Sequence, residues 1–561
     1  MTISMVIHLY QKYHSQNRKT SVMKKTLLFI GISIICSMGI AQGSYNWILQ
    51  NGGLGNDIGY SIVYADNSIY VGGYFEGTVV FNNDTLTSVG SSDIFILRMN
   101  TEGDILWARR CGGIAADNIA GMKADNKGNL YISGSCTMYS DFGPTFLLGF
   151  GNIDAFVARI DSSGTFRWAL NCGSPSDDYG LRVGINPEGT LISFTGSYQD
   201  YGVFGPYSLE WYGYRDFFVA QVDSSGNYRW IFTDGTENSE SGYGLDVDSL
   251  GNTYVAGYFF SNIWYIGNYV LYNSSSNADC FLLKVSASGN LLWAKSYGGI
   301  EEDLPRPLLV TGNSLYIAGY HYSSGNFLGL NLTGTGSRDT YVLKADTSGT
   351  GIWAFDGVST QDDECIDIAL TPNKDILASG AFAGQIQFNS TVHTSKGEYD
   401  AMTLELDDET GELKGLAIGG GTGYDVFFGV TSSEDYVYTT GYFNDTAEFG
   451  DKTVISNGGQ DAIITQLGLM VGRNEFPIKQ GIGIKIIPNP CQIASLITWD
   501  NQYKGVCHGI VLNSAGALVK EFKTENRNSY MFSRNGLAQG VYYIKIYTSE
   551  KIIGTGKLVI Q

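Results

Sequence analysis

From Trp47 onward the chain is written in short apolar runs separated by glycine, asparagine, aspartate and serine. Some runs are almost continuously apolar, as in DIFILRM from Asp93, NLYISG from Asn129 and DFFVAQV from Asp216, whereas ILWARRC from Ile105 mixes apolar and basic positions. Runs of this length between turn residues read as β-strands, and the continuous ones as strands covered on both faces. No long stretch carries the 3.6-residue period of a surface helix. The expectation is an all-β chain.

The runs also repeat. An aspartate opens a strand at Asp93, Asp154, Asp216, Asp279, Asp339, Asp400 and Asp461, at intervals of 60–63 residues. A glycine keeps the same beat at Gly73, Gly134, Gly196, Gly257, Gly319, Gly380 and Gly441. So does a tryptophan at Trp47, Trp107, Trp168, Trp230, Trp293 and Trp353, with Gly415 in the seventh place. Each unit predicts four strands. One runs into a turn such as Asp125–Gly128, one leaves it and ends at the repeated glycine, one starts at the repeated aspartate, and one carries the tryptophan. Four antiparallel strands repeated radially make a propeller blade, so residues 42–467 are expected to form a seven-bladed β-propeller. The first unit supplies only its fourth strand, NWILQNGG, and the seventh stops after its third, DAIITQLG. Pairing these two would close the ring and leave no free edge. The units resemble the bacterial β-propeller repeat family whose motif has the form W…GG…D…D..GN.Y..G. That resemblance implies a fold and little about activity, since propellers serve as binding platforms, enzymes and scaffolds.

The flanks of the repeats differ from them. Residues 1–41 hold MKKTLLFIGISIICSMGIAQG from Met23, which reads as a signal peptide with translation starting at Met23 and cleavage after Ala41. Residues 468–484 lose the beat and read as a linker. Residues 485–561 alternate apolar positions with glycine turns and are expected to form a small C-terminal β-sandwich. Their landmarks are Pro488-Asn489-Pro490, the L-x-x-G-x-Y spacing of Leu537, Gly540 and Tyr542, and a short basic-apolar end at Lys557. These landmarks resemble the type A C-terminal sorting domain of the Bacteroidetes type IX secretion system. The resemblance implies that residues 485–561 engage the type IX machinery and carry the chain to the cell surface or beyond. The plainer alternative is an ordinary sandwich that assists folding or adhesion.

Hydrophobic residues make up 43% of the chain and charged residues 16%, with a net charge of −20. The leader takes five basic residues and no acids with it, so the rest is more acidic still. Such a chain disfavours nucleic acid and anionic membranes as partners. Beyond the leader no stretch is apolar enough to span a membrane, and a monomer is expected. Of eight cysteines, seven follow the leader without CxxC spacing. They are expected to be buried thiols, with Cys491 and Cys507 the pair to examine for a disulfide.

Catalytic signals are sparse. HExxH, GxSxG and zinc-ligand spacings are absent, and of His321, His393 and His508 none sits in a shared motif. GGLGND and GGTGYDVF mimic calcium-binding β-roll repeats but recur far too seldom to build one. No enzyme, cofactor or metal is therefore expected. One acid does recur in every unit, ten residues after the tryptophan position: Asp57, Asp117, Asp178, Glu240, Asp303, Asp363 and Asp425. Such a ring would either draw a cation to a channel mouth or cap backbone N–H groups where units meet. Recurrence in every unit favours the structural role. Two insertions are rich in aromatics, SLEWYGYRD with Trp211, Tyr212 and Tyr214, and SNIWYIGNY with Trp264 and Tyr265. They would either present rings to a glycan or protein, or pack beneath their own loops. The expected function is an exported surface binding or adhesion module for a glycan or protein. The alternatives are a secreted carbohydrate-active enzyme using carboxylates alone and an envelope docking scaffold.

Overall fold

In the first sheet, strands Asp57–Ala65, Ser68–Phe75, Asp93–Met99 and Ile105–Cys111 pair in that order, each antiparallel to the next. The computed structural model describes residues 41–469 except 83, 276, 336, 389 and 390, and residues 484–561 except 500–505, 514–517, 526–527 and 549–551. The predicted signal peptide up to residue 40 and most of the predicted linker lie outside the described residues. Among those residues there is no helix, and the four-strand pattern recurs through seven sheets. The seventh is built from Val426–Ser432, Tyr436–Phe443 and Asp461–Gly468, and its fourth strand is Tyr45–Asn51. That strand runs antiparallel to Asp461–Gly468, with Ile48 opposite Thr465 and Leu49 opposite Ile464. Each sheet packs its first strand beside the first strand of the next, and the first strand of the seventh lies beside that of the first. The arrangement is propeller-like.

Inner strands are covered on both faces, which explains their continuous apolar runs: Leu130–Cys136 is buried at every position. Fourth strands such as Ile105–Cys111 are buried only in part. The repeated glycine has a steric cause. A bulge in each first strand pushes the carbonyl of the residue after the ring acid towards the second strand. A Cβ on Gly73 would lie 1.9 Å from the Ile58 carbonyl oxygen, and one on Gly441 1.8 Å from that of Val426. Only glycine fits there. The second strand does not end at this glycine, as its turn-forming character suggested, but runs on to Phe75 in the first sheet and Phe443 in the seventh.

The repeated tryptophan fastens neighbouring sheets. The indole N–H of Trp47 donates to the Thr101 carbonyl at 3.2 Å, Trp107 to Ser162 at 3.3 Å, Trp168 to Ser224 at 3.0 Å, and Trp353 to Asp408 at 2.8 Å. Each acceptor belongs to the turn between the third and fourth strands of the following sheet. The glycine of that turn lies against the indole, as Gly103 does on Trp47 and Gly411 on Trp353.

The long connection between second and third strands is not an open loop. It folds into a two-stranded hairpin, for example Thr78–Phe81 with Asp84–Thr87 and Ile263–Ile266 with Tyr269–Tyr272. The hairpin reaches back to the preceding sheet, where Gly112 bridges Asp141 and Gly173 bridges Val203.

The described residues from 484 onward belong to a second unit. It holds a three-stranded sheet of Lys485–Ile487, Ala494–Thr498 and Ser529–Ser533, and a four-stranded one of Leu518–Glu525, Val506–Asn513, Gly540–Tyr547 and Ile552–Ile560. Ile497, Phe532, Val511, Ile544 and Leu558 form its core. All seven described cysteines are buried free thiols, including Cys491 and Cys507.

Gly441→Ala is expected to destabilise the repeat unit by about 1–3 kcal/mol, the range for forcing an atom into a packed site. Gly468→Ala, whose Cβ would meet nothing within 4 Å, should be near neutral. Urea unfolding of both variants checks this.

Candidate functional site

The seven ring acids are fully buried. Asp117 accepts hydrogen bonds from the Gly113 N–H at 2.6 Å, the Thr137 N–H at 2.9 Å and the Ser140 hydroxyl at 3.0 Å. Asp178 takes the Ser174 and Gln199 N–H groups, Glu240 that of Thr236, Asp303 that of Gly299, Asp425 those of Gly421 and Asn444, and Asp57 that of Gly53. Asp363 departs from the pattern and takes the Thr340 N–H of the preceding sheet. All seven therefore sit in seams, where the chain leaves one sheet and enters the next, and cap backbone that water cannot reach. None forms a charged rim for a cation.

Burial pushes these carboxyls up, against the lowering effect of the N–H donors. Asp57 rises to about 6, Asp178, Glu240, Asp303 and Asp425 to about 7, and Asp363 to about 8. The aspartate that opens the preceding third strand adds to the rise: Asp461 acts on Asp57, Asp154 on Asp178 and Asp279 on Asp303. Each seam thus holds two buried carboxyls, a combination that favours keeping a proton.

Inside the ring of first strands lies a cavity of about 350 Å³, lined by residues from all seven sheets. Arg182 crosses it, donating to the Ala120 carbonyl at 2.9 Å and to the Ile366 carbonyl of the sixth sheet at 3.2 Å. On the seam side of this bolt the wall turns aromatic and cationic. Tyr60 and Phe428 stack with centroids 4.6 Å apart, and the Arg306 guanidinium lies 5.5 Å from the Tyr243 ring. Arg338 lies 4.9 Å from the Tyr320 ring, and Arg215 lies 4.8 Å from that of Tyr179. Sequence reasoning missed this mouth. Arg215 and Arg338 stand immediately before the repeated aspartate, where other units carry Ser92, Ile153, Ala278, Tyr399 and Gln460. A position that varies freely inside an otherwise regular repeat was the available signal.

The aromatic insertions divide. Trp211, Tyr212, Tyr214 and Tyr265 are exposed. Trp264 is buried, which corrects its place among the candidate ligand contacts. Along the hairpin strand Ile263–Ile266 side chains alternate outward and inward, so Trp264 packs on Phe217 and Phe281 and donates to Asp234 at 2.9 Å. Between the third and fourth sheets runs a groove of about 870 Å³ whose lining includes Tyr214, Glu237, Asn238, Phe260 and Asn262. His321 is buried, with Nε2 2.9 Å from Asp356 and Nδ1 3.0 Å from the Ser323 carbonyl.

In the tail, the Asn489 side chain of the PNP motif bonds the last strand twice, donating to the Lys557 carbonyl at 2.7 Å and accepting from the Val559 N–H at 2.8 Å. Pro488 and Pro490 flank this contact, and the Tyr542 hydroxyl donates to the Ala538 carbonyl at 2.9 Å beside Leu537 and Gly540. The three landmarks are thus parts of one folded unit. Residues 485–561 match the family described as secretion system C-terminal sorting domain. The protein is secreted and sorted to the outer membrane or cell surface. Among the described residues no helix is long and apolar enough to cross a membrane.

The chain has distant relatives. It is 23% identical to an uncharacterized WD repeat-containing protein of Acanthamoeba polyphaga mimivirus, over 64% of this chain and 32% of that protein. It is 22% identical to the regulatory protein FlaEY of Caulobacter vibrioides, over 73% of this chain and 39% of that one. The chain thus spans about a third of the length of these relatives. Among solved structures, a mutant of Synechocystis apocarotenoid oxygenase matches 75% of this chain and 95% of its own at 9% identity and a TM-score of 0.35. The extracellular domain of a hybrid two-component system from B. thetaiotaomicron matches 89% of this chain and 67% of its own at 11% identity and a TM-score of 0.25. Neither superposes closely enough to place a site.

The raised carboxyls set a direction for pH dependence. Unfolded, they titrate near 4; folded, they hold their protons to about 6–8. Between these limits the folded state binds more protons, so stability present at pH 5 is lost as pH rises to 8. His321, raised by Asp356, acts in the same direction. The melting temperature of the repeat unit is expected to fall by several degrees from pH 5 to pH 8, and Asp363→Asn should flatten that slope. Calorimetry across the range checks both.

Proposed function

We propose that residues 42–467 are a seven-bladed β-propeller, closed by strand Tyr45–Asn51, which the type IX sorting domain delivers to the cell surface as a glycan-binding module. The groove between the third and fourth sheets carries this reading. Its amide, hydroxyl and carboxylate side chains suit sugar hydroxyls, and Tyr214 with the nearby exposed Tyr265 offers rings for the apolar faces of sugars. Binding is favoured over turnover because the carboxyls with raised pKa are sealed in seams, out of a substrate's reach. A second reading, docking of an envelope protein, draws on an exposed apolar stretch in the second unit that includes Tyr139, Phe146 and Leu148.

Retention of the secreted chain on a panel of polysaccharides tests the proposal. Tyr214→Ala and Tyr265→Ala are each expected to weaken retention about tenfold, a loss of ~1.4 kcal/mol. Trp264→Ala should instead lower stability by about 3–5 kcal/mol through the cavity it leaves. If no polysaccharide is retained, or if both tyrosine variants are retained as well as the unaltered chain, the groove reading fails.

A further inference from the structure

We infer that the mouth of the ring, above the Arg182 bolt, is a second binding site, and that it takes the carboxylate of an acidic sugar. Three guanidinium groups converge there in a chain whose net charge is −20. Arg306 lies between the rings of Tyr243 and Tyr320, at 5.5 and 5.8 Å, and Arg338 lies 4.9 Å from Tyr320. Arg215 lies against Tyr179 on the neighbouring side.

Their hydrogen-bonding capacity is only partly used. Arg306 pairs through one Nη with Glu364 at 3.1 Å, and its side chain keeps 29% of its surface open. Arg338 uses its Nε on the Tyr322 hydroxyl at 3.1 Å. Among the described residues neither Arg338 nor Arg215 has a carboxylate within ion-pair distance. Two nearby acids are already hydrogen-bonded, Glu302 to the Tyr320 hydroxyl at 2.8 Å, and Asp362 to the Arg338 backbone N–H at 3.2 Å and the Tyr399 hydroxyl at 3.4 Å. Planar guanidinium edges held against tyrosine faces are preorganised for a planar carboxylate, and a point charge would use them poorly.

The rest of the ligand follows from the surroundings. Arg182 spans the channel beneath, so the mouth does not open into a pore for a threaded chain. Half-buried tyrosines and Phe428 supply flat apolar faces with hydroxyl edges, which match a sugar ring. The funnel also leads towards the groove, since Phe260 of the groove lies 5.7 Å from Tyr258, whose hydroxyl meets Arg215. An oligosaccharide in the groove would end with its acidic unit in the mouth. The choice of a sugar over an acidic peptide rests on the glycan reading above; the site itself needs no contact with Tyr214.

Calorimetric titration of the full secreted chain with glucuronate, glucose and a short polyglutamate tests the inference. Glucuronate is expected to bind and glucose to bind at least about tenfold more weakly, with added salt weakening the former. Arg338→Gln and Arg215→Gln should each weaken glucuronate about tenfold while Tyr214→Ala leaves it unchanged. Equal binding of glucose and glucuronate, unchanged affinity in both arginine variants, or preference for polyglutamate overturns it. Polysaccharide retention that depends on Tyr214 without any glucuronate binding would sink this site and leave the groove standing. Arginine-dependent glucuronate binding without such retention would do the reverse.

Discussion

The structure depends on how backbone N–H groups are satisfied where the chain crosses from one sheet to the next. These crossings are buried, and an unpaired N–H there would cost about as much as a lost hydrogen bond. A carboxylate placed four residues after the crossing begins, as Asp117 is after Gly113, accepts one N–H from the sheet just left and another from the connection ahead. A carboxyl at the same offset takes the N–H four residues before it in six of the seven units, and Asp363 takes that of Thr340 instead. The consequence is electrostatic: two carboxyls share each dry seam, and the affinity of the ring acids for protons rises.

The same logic explains the other repeated residues. The first-strand bulge that brings the crossing into register drives a carbonyl onto the second strand and leaves room only for glycine. The indole of the fourth strand reaches the next sheet's turn and packs under its glycine. Acid, glycine and tryptophan are three parts of one joint between sheets. The pairing of Tyr45–Asn51 with Asp461–Gly468 then uses the ordinary ladder of a fourth strand, with Trp47 bonded to the first sheet as Trp107, Trp168, Trp230 and Trp353 are bonded to the sheets that follow them.

Because the joint consumes the regular positions, the contacts proposed for a ligand come from irregular ones. Arg215 and Arg338 share one such position, and the exposed rings of Tyr214 and Tyr265 come from insertions in single units. In the tail the opposite holds. There the signature residues are structural and diagnostic at once, since Asn489 closes the sandwich by bonding the last strand beside Lys557.

The sequence by itself determined the four-strand sheet of each unit, the joint residues, the pairing of Tyr45–Asn51 and the identity of the tail, because each rests on spacing along the chain. The hairpins in the long connections were hidden, since their strands of three or four residues are too short to show a period. The inward turn of Trp264 was hidden for a related reason: alternation in a short strand gives two opposite faces, and only the packing partners Phe217 and Phe281 select between them. The mouth was decided by tertiary structure alone. Arg306 lies on the first strand Asp303–Thr311, whereas Arg215 and Arg338 stand just before the third strands of two other units, and they meet only because successive first strands are wrapped around a common axis.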